Sequence, residues 1–211
     1  IPKNLIISQI ESILSEFNVD CIKIGLFGGF RAANSIVKLL KTKKINLPIV
    51  VDPVFRSTTK SLFLKKEDYL LIQKKFAELN PIFTPNVDEI KTLLNIKKSM
   101  KISKDILISM FYEKYKSKVI LTGGDGEKTF CEDFLLDENL KQRVIKSKRI
   151  ISNNLHGSGC AFSTALCINL SKGNSIYRAT ALAKSFTEKS IKMSPKLNLR
   201  YGPIGQLSFF K

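Results

Sequence analysis

The sequence predicts an α/β fold: a doubly wound, mainly parallel sheet with helices on both faces, in one domain spanning residues 1–211. Three observations carry this. Short apolar runs alternate with amphipathic segments along almost the whole chain. The run Leu47–Val54 is apolar on both faces, as a strand buried between two helical layers must be. Four apolar runs end in glycine or small polar residues: Gly25, Asp52-Pro53, Thr84-Pro85-Asn86 and Thr122-Gly123-Gly124. In a parallel sheet these carboxyl ends share one edge, where ligands bind.

In order, apolar residues spaced three and four apart predict a helix from about Pro2 to Phe17, with proline suited to its first turn. Cys21–Phe27 is read as a strand and Phe30–Lys41 as a helix. The strand Leu47–Val54 is followed by a helix over Asp68–Leu79 and a strand over Pro81–Asn86. Helices are expected from Asp88 to Leu94 and from Lys104 to Tyr115, then a strand over Lys118–Gly124. Two less regular strands follow, about Glu127–Cys131 and Arg143–Ile151. Two long helices, Ser158–Leu170 and Ser175–Met193, close the fold. The tail from Pro195 to Lys211 has weak pattern.

With 44% hydrophobic residues, 211 residues can bury a large core. No apolar run reaches the roughly 18 residues of a membrane span, and Ile1-Pro2-Lys3-Asn4 does not read as a signal peptide. Without an initiator methionine, the chain is expected to start partway into a gene product. Cys21, Cys131, Cys160 and Cys167 lack Cys-x-x-Cys spacing and are read as free thiols of a reducing, cytoplasmic compartment. Cys160 and Cys167 lie two turns apart on one helix, too far to bridge. The net charge of +17 comes mostly from scattered lysines without interleaved aromatics. That pattern argues against a nucleic-acid surface and favours a small anionic substrate.

The most informative stretch is His156-Gly157-Ser158-Gly159-Cys160, which opens an apolar helix. Glycines let backbone approach a ligand, and the N–H groups of a first helical turn point at an anion with the helix dipole behind them. This is neither a Walker A loop nor Gly-x-Gly-x-x-Gly. A plain turn before a buried helix is the bland alternative. Phosphoryl transfer needs positioning and charge neutralisation, usually with Mg²⁺. Asp52 and Glu89 are the candidate metal carboxylates. Asn86 and Glu89, three apart at a helix start, read equally well as capping residues.

Lys23-Ile24-Gly25-Leu26, Val51-Asp52-Pro53-Val54, Thr84–Glu89, Thr122-Gly123-Gly124 and His156–Cys160 occur in the order and spacing of hydroxymethylpyrimidine/phosphomethylpyrimidine kinases. The chain resembles these ribokinase-like enzymes of thiamine biosynthesis from about Pro2 to Met193. Cys160 is the discriminating residue, because ribokinase and most pyridoxal kinases carry aspartate there. The resemblance implies a ribokinase-like three-layer α/β/α fold. It implies ATP as co-substrate with Mg²⁺, two successive phosphorylations of the pyrimidine alcohol, and a homodimer. The amides of Gly157, Ser158, Gly159 and Cys160 would form the anion hole. Cys160 would stand at the position of the catalytic base, as a thiolate favoured by the helix N-terminus; it would either take the substrate proton or shape the hole. Gly25, Leu26, Val54 and His156 would contact the pyrimidine, with His156 orienting its loop. Asn86, Thr122, Gly123 and Gly124 would hold nucleotide, and Asp52 and Glu89 the metal.

Three departures from the family pattern stand out. Thr122-Gly123-Gly124-Asp125 replaces Lys-Gly-Gly-His, so a phosphate-contacting lysine is lost. Leu26 replaces methionine at similar volume. The family's opening strand and Gly-Ser-Asp loop have no counterpart, so the 211 residues by themselves are expected to lack much of the acceptor site. A pyridoxal or pyridoxine kinase and a non-catalytic nucleotide- or partner-binding remnant are the alternatives, with a nucleic-acid binder a distant third.

Overall fold

The computed structural model describes residues 1–55, 63–124, 129–195 and 202–207. In order, the elements are α1 (Lys3–Glu16), β1 (Ile22–Ile24), α2 (Phe30–Thr42), β2 (Ile49–Val51), α3 (Lys66–Ala77), β3 (Ile82–Phe83), α4 (Val87–Leu93), α5 (Lys104–Tyr115), β4 (Lys118–Leu121), β5 (Phe130–Leu136), β6 (Gln142–Lys148), α6 (Ser158–Ser171) and α7 (Ile176–Lys192).

The six strands form one sheet in the order β1-β2-β3-β4-β5-β6, parallel from β1 to β4 and antiparallel beyond. Strand order equals chain order, so the described sheet has no reversal point, and the doubly wound expectation is corrected in that respect. Right-handed crossovers that always step the same way place their helices on the same face. One hydrophobic cluster accordingly joins residues of α2, α3, α4 and α5 to Ile24, Val51, Phe83, Val119 and Leu121. The alternate strand positions, Val50, Ile120 and Leu135, face α6 and α7 in a second cluster. The result is three layers, α/β/α, with β1–β4 buried between two of them.

Local sequence explains the element ends. α2 buries Ala33, Ile36, Val37 and Leu40, a single stripe at helical spacing. α5 stops where Lys116 adopts a left-handed conformation, φ 50°. α6 is apolar on nearly all sides because it is covered by both the sheet and α7, and its small residues allow close packing. The largest boundary difference is at β5, expected at about Glu127–Cys131. Glu127 and Lys128 lie outside the described residues, and the strand runs on to Leu136. Glu132-Asp133 reads as a strand end in the sequence. It is not one, because the buried Asp133 carboxylate pairs with Lys184 Nζ at 2.9 Å.

Candidate active site

Backbone ladders continue past the named strands and fix the row of residues at the carboxyl edge. Asp52 N–H donates to the Ile24 carbonyl (2.8 Å), Thr84 N–H to Val51 (2.9 Å) and Thr122 N–H to Pro85 (2.9 Å). The buried Tyr69 hydroxyl donates to the Pro53 carbonyl at 2.7 Å and pins the Asp52-Pro53 turn from α3.

The glycine loop meets this edge from the α6 side. Gly157 caps α6 with φ 86°, a left-handed conformation that L side chains rarely adopt. Of the four amides expected in the anion hole, Ser158 N–H already donates to the Leu155 carbonyl at 3.1 Å. Among the described residues, those of Gly157, Gly159 and Cys160 make no backbone hydrogen bond. The loop is clasped by the tail. His156 N–H donates to the Gly202 carbonyl, Ile204 N–H to that of His156 and Gly202 N–H to that of Asn153. Gly202 packs so closely on Asn154 that a Cβ there would lie 1.7 Å from the Asn154 side-chain oxygen. Sequence patterning gives no sign of this element, since the tail reads as weakly patterned.

Around Cys160, side chains from four elements converge. Asp52, almost fully buried, accepts a hydrogen bond from Ser163 Oγ (3.0 Å), and Lys23 Nζ lies 3.6 Å from its Oδ2. Burial raises the Asp52 pKa, opposed by Lys23, Ser163 and Cys160. The Cys160 pKa is raised too, first by burial of the sulfur and then by the Asp52 charge; Lys23 opposes this and Glu89 adds to it. The expected thiolate is therefore corrected: although Cys160 is exposed as a residue, its sulfur sits beside a carboxylate. Desolvation and that neighbour raise the thiol pKa, and Lys23 only partly opposes them. Lys23, Ser163 and Tyr69 were not singled out from the sequence as site residues. Lys23 was legible only as a charged residue inside a strand.

Asn86 and Glu89 form a full capping box at the start of α4. Asn86 Oδ1 accepts from Glu89 N–H (2.8 Å), and Glu89 Oε2 accepts from Asn86 N–H (2.9 Å). The box aims the Glu89 carboxylate toward the cluster, where its charge reaches both Cys160 and Tyr69. No group of three metal-binding side chains occurs among the described residues. A donor set of Asp52 and Glu89 alone fits Mg²⁺, which is content with one or two carboxylates plus phosphate and water oxygens. It suits an ion that arrives with a nucleotide.

The Thr122–Gly124 loop is held from two sides. Gly123 N–H donates to Asp133 Oδ1 (2.7 Å), while the Arg149 guanidinium donates to the Gly124 carbonyl (2.7 Å) and the Gly123 carbonyl (3.4 Å). Gly123 is required by space: a Cβ there would lie 2.2 Å from the Glu132 carbonyl oxygen. Asp125 lies outside the described residues. On the acceptor side, Leu26 is exposed, Gly25 and Val54 are half-buried, and His156 is exposed on the loop. A Cβ on Gly25 would lie 2.7 Å from Lys23 Nζ, so the lysine folds over this glycine. Two surface clefts, one lined by residues including Asp137 and Tyr177 and one by residues including Lys41 and Glu78, lie away from this edge.

The model of the phosphomethylpyrimidine kinase family matches residues 1–205. The hydroxymethylpyrimidine/phosphomethylpyrimidine kinase of Aquifex aeolicus is 29% identical over 202 residues, 95% of this chain and 78% of that protein. The ADP complex of Bacillus subtilis pyridoxal kinase superposes with a TM-score of 0.85 at 27% identity, covering 100% of this chain and 79% of that one. Phosphomethylpyrimidine kinase from Clostridium difficile gives 0.70 at 27% identity, covering 90% and 77%. With its strand-edge residues and its Gly157–Cys160 loop placed on this shared fold, the chain belongs to the phosphomethylpyrimidine kinase family.

Proposed function

We propose that residues 1–211 belong to one kinase domain, and that the full-length gene product carrying it transfers the terminal phosphoryl group of ATP to 4-amino-5-hydroxymethyl-2-methylpyrimidine, and then to its monophosphate, in thiamine biosynthesis. The observation that supports this most is the convergence of Lys23, Asp52, Glu89 and Cys160 at the mouth of α6, in a member of this family. The amides of Gly157, Gly159 and Cys160 face the moving phosphoryl group. The pyrimidine lies over Gly25, Leu26 and Val54, with His156 at its rim, and the nucleotide runs along Asn86 and Thr122–Gly124. In the first transfer the alcohol oxygen attacks the terminal phosphorus, the bond to the bridging oxygen breaks, ADP leaves and the alcohol proton is released; in the second a phosphate oxygen of the monophosphate attacks in the same way and ADP again leaves.

Mg²⁺, bound through Asp52 and Glu89, would neutralise phosphate charge. Because the Cys160 thiol is held protonated beside Asp52, we assign it to closing the anion hole; proton removal contributes little in a loose transition state. The free cysteines suit a reducing cytoplasm, and we expect a homodimer. A second reading, pyridoxal kinase, is favoured by the TM-score of 0.85 to the Bacillus subtilis enzyme. Incubating the full-length gene product with ATP and Mg²⁺ and each alcohol, and reading ADP and the phosphate ester by ³¹P NMR, separates the two. Turnover of the pyrimidine and of its monophosphate is expected, as is a loss of about 10²-fold in kcat with little change in ATP binding for Cys160→Ala, which keeps the backbone amide and removes only the thiol donor from the anion hole. Turnover of pyridoxal alone, or of neither alcohol, refutes the proposal.

A further inference from the structure

Beneath the Thr122–Gly124 loop lies an ion pair that the phosphoryl-transfer scheme does not use. Lys184 on α7 and Asp133 on β5 meet at 2.9 Å, with side chains only 7% and 5% exposed. Lys184 Nζ also donates to Cys131 Sγ at 3.3 Å, and Asp133 Oδ1 accepts the Gly123 N–H at 2.7 Å. A buried ion pair is poor value as a stabiliser, since apolar residues of similar volume serve as well or better. It can, however, fix a direction. One carboxylate oxygen is held by Lys184 and the other points along the Gly123 N–H. Leucine or valine at position 133 could fill the space and leave that amide without an acceptor.

We infer that Asp133 and Lys184 are positioning residues for the nucleotide: the ammonium from α7 orients the carboxylate, and the carboxylate sets the path of the Thr122–Gly124 backbone against the phosphates. Arg149, just past the end of β6, completes the clamp by holding the two glycine carbonyls. The loop thus gains from its scaffold the order that a Thr122 side chain, hydrogen-bonded to Pro85, does not provide by reaching outward. This rests on the nucleotide role of the loop proposed above.

The test is calorimetric binding of ADP with Mg²⁺ to the full-length protein, alongside KM for ATP and for the pyrimidine alcohol. Asp133→Val/Lys184→Met removes the pair without leaving a buried charge. It is expected to fold and to bind ADP at least about tenfold more weakly, the loss of a hydrogen bond to a charged group, with the alcohol KM unchanged. Asp133→Asn/Lys184→Met restores a carbonyl acceptor for Gly123 without the ammonium that orients it, and is expected to recover part of the affinity. Asp133→Ala/Lys184→Met makes the same test with less bulk if valine prevents folding. Gly124→Leu, whose Cβ meets open space, checks the loop itself. If Gly124→Leu leaves ADP binding intact, the nucleotide role of the loop fails and the inference with it. If Gly124→Leu weakens binding but a folded Asp133→Val or Asp133→Ala double variant does not, the inference alone is overturned. Equal losses for ADP and alcohol, no recovery with asparagine, or collapse of both the valine and alanine variants also overturn it.

Discussion

Gly123→Ala isolates the tightest backbone approach at the candidate site. The added Cβ would lie 2.2 Å from the Glu132 carbonyl oxygen and 2.6 Å from both Glu132 C and N. All three are backbone atoms of β5, so no side chain can swing aside. The neighbouring ladder, Leu121 paired with Phe134, must open by roughly an ångström, which resembles overpacking a core at about 1–3 kcal/mol. The same shift breaks the Gly123 N–H bond to the ionised Asp133, a loss of about 1.5–3 kcal/mol. Together these predict a destabilisation of about 2.5–6 kcal/mol, or a melting temperature lowered by roughly 5–24 °C for a chain of this size. Gly124→Ala is the matched control, because a Cβ there meets nothing within 4 Å. Neither glycine has a left-handed φ, so the comparison is one of space. Urea and thermal unfolding of both variants, followed by circular dichroism, decide it. If Gly123→Ala unfolds within about 0.5 kcal/mol of Gly124→Ala, the close approach of β4 and β5 is not as described.

Other consequences can be measured directly. Gly157→Ala places a Cβ at φ 86° and should cost about 1–2 kcal/mol while lowering turnover more than ADP affinity; equal stability by denaturant titration would contradict the left-handed cap. Alkylation of Cys160 by iodoacetamide, followed by mass spectrometry, should be slow at neutral pH and accelerate only above a thiol's ordinary 9.0; rapid labelling at pH 7 would restore the thiolate. Because burial raises the folded pKa of Asp52 above 3.8, the native state binds the extra proton between that value and the raised one. Native stability contributed by this group therefore falls as pH rises through the window. Asp52→Asn should gain on the unsubstituted protein across it in pH-dependent denaturation, and a parallel pair of curves would show that Asp52 is not desolvated.

Much of the fold could be read from period and punctuation. The helix Lys104–Tyr115 matches its expected bounds, α2 differs from its own by one residue at one end, and α7 by one residue at each end. These segments carry their own signals: an apolar stripe, a capping residue and a breaker. β1, β2 and β4 are shorter than the sequence predicts, because beyond Ile24, Val51 and Leu121 only single ladder bonds such as Asp52 N–H to Ile24 and Thr122 N–H to Pro85 continue before the chain turns into the edge loops. β5 was cut short at Glu132-Asp133, because a charge inside a strand is intelligible only once its partner 51 residues away is known.

The site divides the same way. The sequence by itself determined the family, the carboxyl-edge residues Asp52, Asn86 and Thr122, and the Gly157–Cys160 loop, because each is a short local motif whose chemistry follows from residue type and spacing. Tertiary structure alone decided the rest. It ordered the strands without a reversal and clasped the loop with Gly202–Ile204. It engaged the Ser158 amide, expected in the anion hole, with the Leu155 carbonyl and set Lys23, Asp52 and Ser163 around the Cys160 thiol. These outcomes depend on contacts between residues far apart in the chain. The Cys160 thiol shows why: a helix start by itself favours a lowered pKa, but the desolvation and the Asp52 carboxylate that raise it exist only after folding.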